Sequence, residues 1–398
     1  TGAKTAAGTF NVAETFTRSG DASLATTSPT YAASVATLAY VDNTNGRTYT
    51  AGLEWPIASG PTNLKVNLSG TGTRQVIMPA SFSRTIVGDT LTAGELSIGA
   101  NTLTINGGIT TGTGTLTGST TSNLTLGGAA GNLNFTPGAD SLNDLTLSAS
   151  SATATLNSSL DVYGTIKLND GGLNLAAKHL TLKSDATNTA RIDVLKPDGS
   201  NLTGATNVTM ERWIPMTNPG PGTGRRYQLL TPTVTTSTSI KQNWMEGGQV
   251  TSAGGFSDPV TGYGTHISGS GTIGNGFDVT GTNQPSLYTT TNGVNPSYTA
   301  FTNSNGTLNA YKGYFLFVRG GRDVSLSLYN TNQAPSWTNL LSSNTTLRAT
   351  GTIQQGDKTG ADFNTANPLL PGIDVQNLIT NPFPSPIDWS QIYTASAG

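Results

Sequence analysis

From about Val35 to Met210 the chain repeats one short motif, an apolar, polar, apolar triplet followed by a turn. Leu96-Ser-Ile98, Leu103-Thr-Ile105, Leu124-Thr-Leu126, Leu133-Asn-Phe135 and Leu145-Thr-Leu147 are examples. The series goes on with Ile166-Lys-Leu168, Leu173-Asn-Leu175, Leu180-Thr-Leu182 and Ile192-Asp-Val194. Alternation over so few residues predicts short strands with one buried face and one wet face. Gly, Asn, Ser and Thr separate the triplets, and no amphipathic helical repeat of useful length interrupts them.

A longer spacing lies over this one. Leu91, Gly94, Leu96, Ile98, Leu103 and Ile105 match Leu168, Gly171, Leu173, Leu175, Leu180 and Leu182, every pair 77 residues apart. A one-residue slip would turn an apolar face to water, so such a register is strict. Stacked coils of roughly 20–25 residues predict this regularity, the offset then spanning three or four coils. A sandwich of antiparallel hairpins uses similar strands. Triplets only four residues apart favour coil corners over hairpins, and eight of these residues, Leu96, Ile98, Leu103, Ile105, Leu173, Leu175, Leu180 and Leu182, should point inward.

The pattern changes near Glu211-Arg-Trp-Ile-Pro215. A Pro/Gly-rich loop, 218–224, follows, and four of the five Trp lie beyond residue 210. Apolar runs lengthen at Tyr227–Leu230, Tyr314–Val318 and Val324–Tyr329. Fuller strands with large aromatics read as a β domain with its own core. Pro382, Pro384 and Pro386 exclude a regular central strand at that end. The expectation is an all-β chain: an N-terminal segment, 1–30, serving as cap or donor strand; a parallel β-helix (solenoid), 31–210; and a β-sandwich-like domain, 211–398. Thr9-Phe10-Asn11-Val12 alternates as a strand would, so it is the candidate for strand exchange with a neighbouring subunit, or for capping its own solenoid.

Composition narrows the chemistry. Charged residues are 11% of the chain and the net charge is −2, so the polar surface is built of Thr, Ser and Asn. That balance gives no field for nucleic acid. Cysteine is absent and only His179 and His266 are present, which removes disulfides, thiolate sites and a multi-histidine centre. The longest wholly apolar run, Tyr314–Val318, is far below the roughly 20 residues of a membrane-crossing helix. The chain begins at Thr1 without a signal-peptide pattern, and reads as a piece of a longer exported protein.

A β-helix raises the question of polysaccharide chemistry. Asp161, Asp170, Asp185 and Asp193 are the solenoid carboxylates to test for a facing acid and base pair, although Asp170-Gly171 suits a turn. His179 aligns with Thr102, a loop position. For calcium, Asp42-Asn-Thr-Asn-Gly46 offers oxygen ligands but lacks the alternating acids and distal Glu of an EF-hand; a plain turn fits better, and no cofactor is expected. Gly220–Gly224 before Arg225 and Arg226 lacks the Lys-Ser/Thr of a phosphate loop. In the second domain Trp244, Tyr263, Tyr288, Trp337 and Trp389 are candidates for glycan stacking, with core packing as the default. Arg319, Arg322 and Asp323 read as a solvated turn at a strand end.

Several stretches resemble large secreted or cell-surface repeat proteins of Bacteroidota. These are Thr48-Tyr-Thr-Ala-Gly-Leu-Glu-Trp-Pro56 with Gly60-Pro61, Leu96–Ile105, Gly112–Thr117 and Ser122–Gly127. In the second domain they are Glu211–Pro215, Arg226–Leu230, Lys312–Arg319 and Asn381–Trp389. The resemblance implies an adhesin-like protein exported by the type IX route, and supplies no catalytic site. Asp89-Thr90-Leu91 and Asp140-Ser141-Leu142 resemble the O-glycosylation acceptor of such proteins, making Thr90 and Ser141 the candidates. The function expected is a non-catalytic, extracellular structural or adhesive protein that self-associates, or engages neighbouring surface proteins or glycans, and assembles into filaments or a layer. The second reading is a carbohydrate-binding or carbohydrate-active β-helix.

Overall fold

A computed structural model describes residues 10–31, 35–128, 131–150, 152–169, 171–193, 195–196, 201–216, 225–252, 257–270, 273–323, 326, 343–366, 368–388 and 390. The chain forms two compact units. The first comprises 1–180 with 190–205, and the second 181–189 with 206–398.

The first unit is a parallel β-solenoid. One face is a nine-stranded sheet, so the chain makes about eight turns. Its strands include Thr15–Arg18, Thr37–Asp42, Asn63–Leu68, Gly88–Ala93 and Ile109–Thr111. A second face stacks Arg84–Ile86, Thr102–Ile105, Asn123–Leu126, Asp144–Leu147, Thr165–Lys167 and Arg191–Asp193. Thr48–Thr50, Gln75–Ile77, Glu95–Ser97 and Thr115–Thr117 form a third, and farther along Ser141–Leu142 pairs with Leu160–Val162. On the second face Leu103, Leu124, Leu145 and Ile166 stack at 21-residue intervals. Their outward neighbours form a ladder of Thr85, Thr104, Thr125 and Thr146.

All eight aliphatic residues expected inside are buried. The 77-residue offset, however, is not a whole number of coils. Coils differ in length, 19 residues between Ala154 and Leu173 and 26 between Leu38 and Leu64, and between Leu103 and Ile166 three strands share coils of 21, so an inward triplet recurs there about every seven residues, one per face. The offset is a whole number of faces instead. Leu96 therefore lies in the Glu95–Ser97 sheet while its match Leu173 lies in the nine-stranded sheet, and Leu103 and Leu180 also occupy different faces. The matched pairs share inward direction, not position.

The corners are held by buried polar side chains. Asn101 Nδ2 donates to the carbonyls of Met78, Pro79 and Ile98, and its Oδ1 accepts from the Phe82 amide. Gly94 turns a corner at φ +83°, where a Cβ would come within 2.8 Å of Leu68 Cβ.

The N-terminal part belongs to the solenoid. Asn11–Val12 pairs in parallel with Thr30–Tyr31, and Thr15–Arg18 with Thr37–Asp42. Arg18 ion-pairs with the buried Glu54 carboxylate, which also accepts from Tyr40 Oη at 2.8 Å. The Glu54-Trp55 stretch thus ties the first coils together.

The second unit is built on antiparallel pairing. Val208–Ile214 pairs with Thr345–Ile353, which pairs with Val234–Thr236. A separate four-stranded sheet runs Arg226–Leu230, Tyr314–Val318, Leu287–Thr291, Ser297–Ala300 in spatial order. A short helix, Gly360–Ala366, follows. Most of Val324–Tyr329 lies outside the described residues, as does the 218–224 loop.

Candidate functional site

The four-stranded sheet has two unlike faces. Tyr314, Leu316, Val318 and Leu287 are buried on one. Alternation sends Phe315 and Phe317 to the other, beside Tyr227 and Leu229 of the neighbouring strand. Tyr288 lies across from Phe315, and Tyr298 completes the group. Five rings are in contact. Tyr227 stacks on Phe315 at 4.5 Å with 6° between planes, and lies 4.9 Å from Phe317. Tyr298 is 4.7 Å from Phe315, and Tyr288 is 6.1 Å from Tyr227. Tyr227 is 42% exposed, Leu229 54% and Tyr298 54%.

Polar groups border the rings. The Arg319 guanidinium stands 5.1 Å from the Phe317 centroid and donates to the His266 carbonyl and Ser268 Oγ. Burial lowers Arg319 to about 10, against the attraction of Asp278 and Tyr227. The Tyr227 hydroxyl is raised by burial first and by its hydrogen bond with Tyr288 second.

Just past the Tyr314–Val318 strand, Arg319 adjoins a buried ionic cluster. Asp278 Oδ2 faces His266 Nδ1 at 3.0 Å and Arg322 Nη1 at 2.9 Å; its Oδ1 accepts from Arg322 Nη2 at 3.1 Å and the Val250 amide. Burial would raise Asp278, but the hydrogen bonds and charges of His266 and Arg322 outweigh it and hold the carboxyl below its ordinary value. His266 Nε2 lies 3.0 Å from the Arg322 carbonyl. A carbonyl only accepts, so this nitrogen donates and the ring is committed on both sides. The Asp–His pair therefore holds structure and presents no base to a substrate. Arg322 belongs to this core rather than to a solvated turn; only Asp323 of that trio is exposed, accepting from Ser343 Oγ. Sequence spacing missed the cluster because Asp278 and Arg322 are 44 residues apart.

No family model, curated protein or solved structure matches the chain.

The glycan-stacking candidates separate. Trp244 is core, set edge-on to Tyr314 at 5.3 Å. Tyr263 is half-buried beneath the Arg348 guanidinium at 4.1 Å. Tyr288 belongs to the aromatic face. Trp337 and Trp389 lie outside the described residues. Tyr227, Phe315 and Phe317 lie in runs that read as core, and Tyr298 lies outside every apolar run. The available signal was Tyr314-Phe-Leu-Phe-Val318, which is apolar at both parities and so covers both sides of a strand.

Asp161 stands on the Leu160–Val162 strand, while Asp193 stands on another face beside Arg191 at 3.2 Å. Asp185 closes an exposed turn through the Thr187 and Asn188 amides. Asp170 lies outside the described residues, and His179 is exposed. In the Asp42–Gly46 turn, the Asp42 carboxylate accepts from Tyr49 Oη, the Thr44 amide and the Gly20 amide, which hold it well below the usual range. Asn45 Oδ1 accepts from the Thr71 amide. These oxygens are already engaged within the chain. Among the described residues no group of three His, Asp or Glu gathers, and no helix is long and apolar enough to cross a membrane.

Thr90 and Ser141 face outward, both half-buried. Asp89 and Leu91, which flank Thr90, point into the core. Thr9 lies outside the described residues; Phe10 is half-buried 6.0 Å from Phe16, Asn11 is exposed, and Val12 is buried.

Proposed function

We propose that the chain is a non-catalytic structural or adhesive protein of the cell surface or secreted material, with the solenoid as an extended support and the aromatic face as its contact. The observation that carries this is the cluster of Tyr227, Tyr288, Tyr298, Phe315 and Phe317 beside exposed Leu229. Burying such rings against an apolar protein surface stabilises association by roughly 25 cal/mol per Å² removed from water, before the costs of ordering. A protein partner suits the ring geometry: Tyr227 and Phe315 turn their faces to each other, and a sugar stacks on an open ring face. Carbohydrate binding is the second reading, supported by the three tyrosine hydroxyls on this face. Asp161 and Asp193 stand on different faces of the solenoid, which weighs against those two as a facing acid and base pair. Self-association through this surface would give filaments or a layer if the contact is heterologous and does not close.

The test is a triple variant, Tyr227→Ser, Leu229→Ser and Tyr298→Ser, compared with wild type by light scattering and on an oligosaccharide array. Particle mass falling to monomer supports protein contact. Lost glycan retention with unchanged mass supports the second reading. Wild-type behaviour in both assays removes the face from either role.

A further inference from the structure

Asp89 stands in a column of aliphatic side chains. On the nine-stranded sheet Leu38, Leu64, Asp89 and Ile109 succeed one another in register, one per coil. All four are buried, Asp89 with 1% of its surface exposed. The other inward positions of its own strand are Leu91 and Ala93. Neither carboxyl oxygen has a hydrogen-bond partner among the described residues. The charged groups on the packed elements are turned elsewhere. Lys65, on the strand before, points outward and pairs in register with Thr90. Arg84 donates to the Trp55 and Ser83 carbonyls. Glu95 lies between Gln75 and Thr115 on another face. Ile109–Thr111 and Thr102–Ile105 carry no titratable side chain.

An isolated carboxylate in this column would lose its hydration with nothing in return, whereas a neutral acid costs far less to bury. We propose that Asp89 is carried as the neutral acid in the folded solenoid and acts as an acid-set fastener, letting the coils on either side pack closed while protonated and loosening them when it ionises. Burial pushes the carboxyl up to about 7. The folded value lies above the unfolded one. The contribution to stability is therefore fully present below about pH 4, falls as pH rises, and is gone above about 7. Within that window the local opening constant grows by up to about tenfold per pH unit.

The experiment compares amide protection factors in Asn63–Leu68 and Ile109–Thr111 at pH 5 and pH 8, in the full chain and in Asp89→Leu and Asp89→Asn. Protection in wild type is expected to fall more than tenfold relative to both variants between the two pH values. An unchanged wild-type to variant ratio would overturn the proposal. Should a substitution prevent folding, the Asp89 carboxyl ¹³C shift in wild type decides: a neutral acid at pH 6 supports the fastener, and a carboxylate at pH 6 ends it.

Discussion

Leu124 is held between Leu103 and Leu145 in adjacent coils and is fully buried. Truncation to Ala removes contacts on both sides at once. Leu124→Ala is expected to cost about 2–5 kcal/mol, read as a shift in the urea midpoint at constant slope. Asn101→Ala should cost about 1–3 kcal/mol by a different route, since three carbonyls and one amide lose their partner at a corner. Both positions bear on what single residues reveal. The aliphatic core was legible because alternation states direction, and direction is what burial needs. Asp89 shares the parity of Leu91 and Ala93, so the same rule places it inside; its charge made it read as a surface residue of an acceptor triplet. Only the stacking of Leu64 and Ile109 against it shows that parity prevailed over charge.

At the scale of elements, the two kinds of sheet carry different amounts of information. A solenoid strand pairs with its own repeat about one coil away, so its partner is written nearby in the chain. In the second unit Val208–Ile214 pairs with Thr345–Ile353, far apart in sequence. Strand existence could be read there, as at Tyr314–Val318, but pairing and the identity of the outward aromatics could not. The Asp278 cluster is the clearest case of a contact set by tertiary packing alone. Asp278→Asn would leave Arg322 buried without its counter-charge and should destabilise the unit by about 3–5 kcal/mol. Protonation acts in the same direction. Asp278 is depressed in the folded state, so its contribution is present above about pH 4 and is lost as pH falls through the folded value. Hydrogen exchange in Tyr314–Val318 should therefore gain speed, relative to the intrinsic rate, on acidification, opposite in sign to the Asp89 region. Equal protection in that strand at pH 6 and pH 2.5 would contradict this.

At the scale of the whole molecule, the coil is the unit of construction in the first part of the chain. Because the stack on the second face repeats every 21 residues, excision of residues 123–143 brings Leu145 into register with Leu103. That shortened chain is expected to fold with one rung fewer. Excision of 123–142 leaves one residue more than this face's repeat, which a corner has to take up, so that chain is expected to fold with a lower urea midpoint than the 21-residue excision. The same independence of coils has a mechanical consequence. Each coil is held chiefly by its two neighbours, so a solenoid stretched between its ends would give way in successive steps rather than at once. One coil of 21 residues pays out about 70 Å of extended chain. A single-molecule pulling trace should then show a run of small force peaks at that spacing, each rupture absorbing load while the rest of the stack stays folded: a tether that yields gradually before it parts.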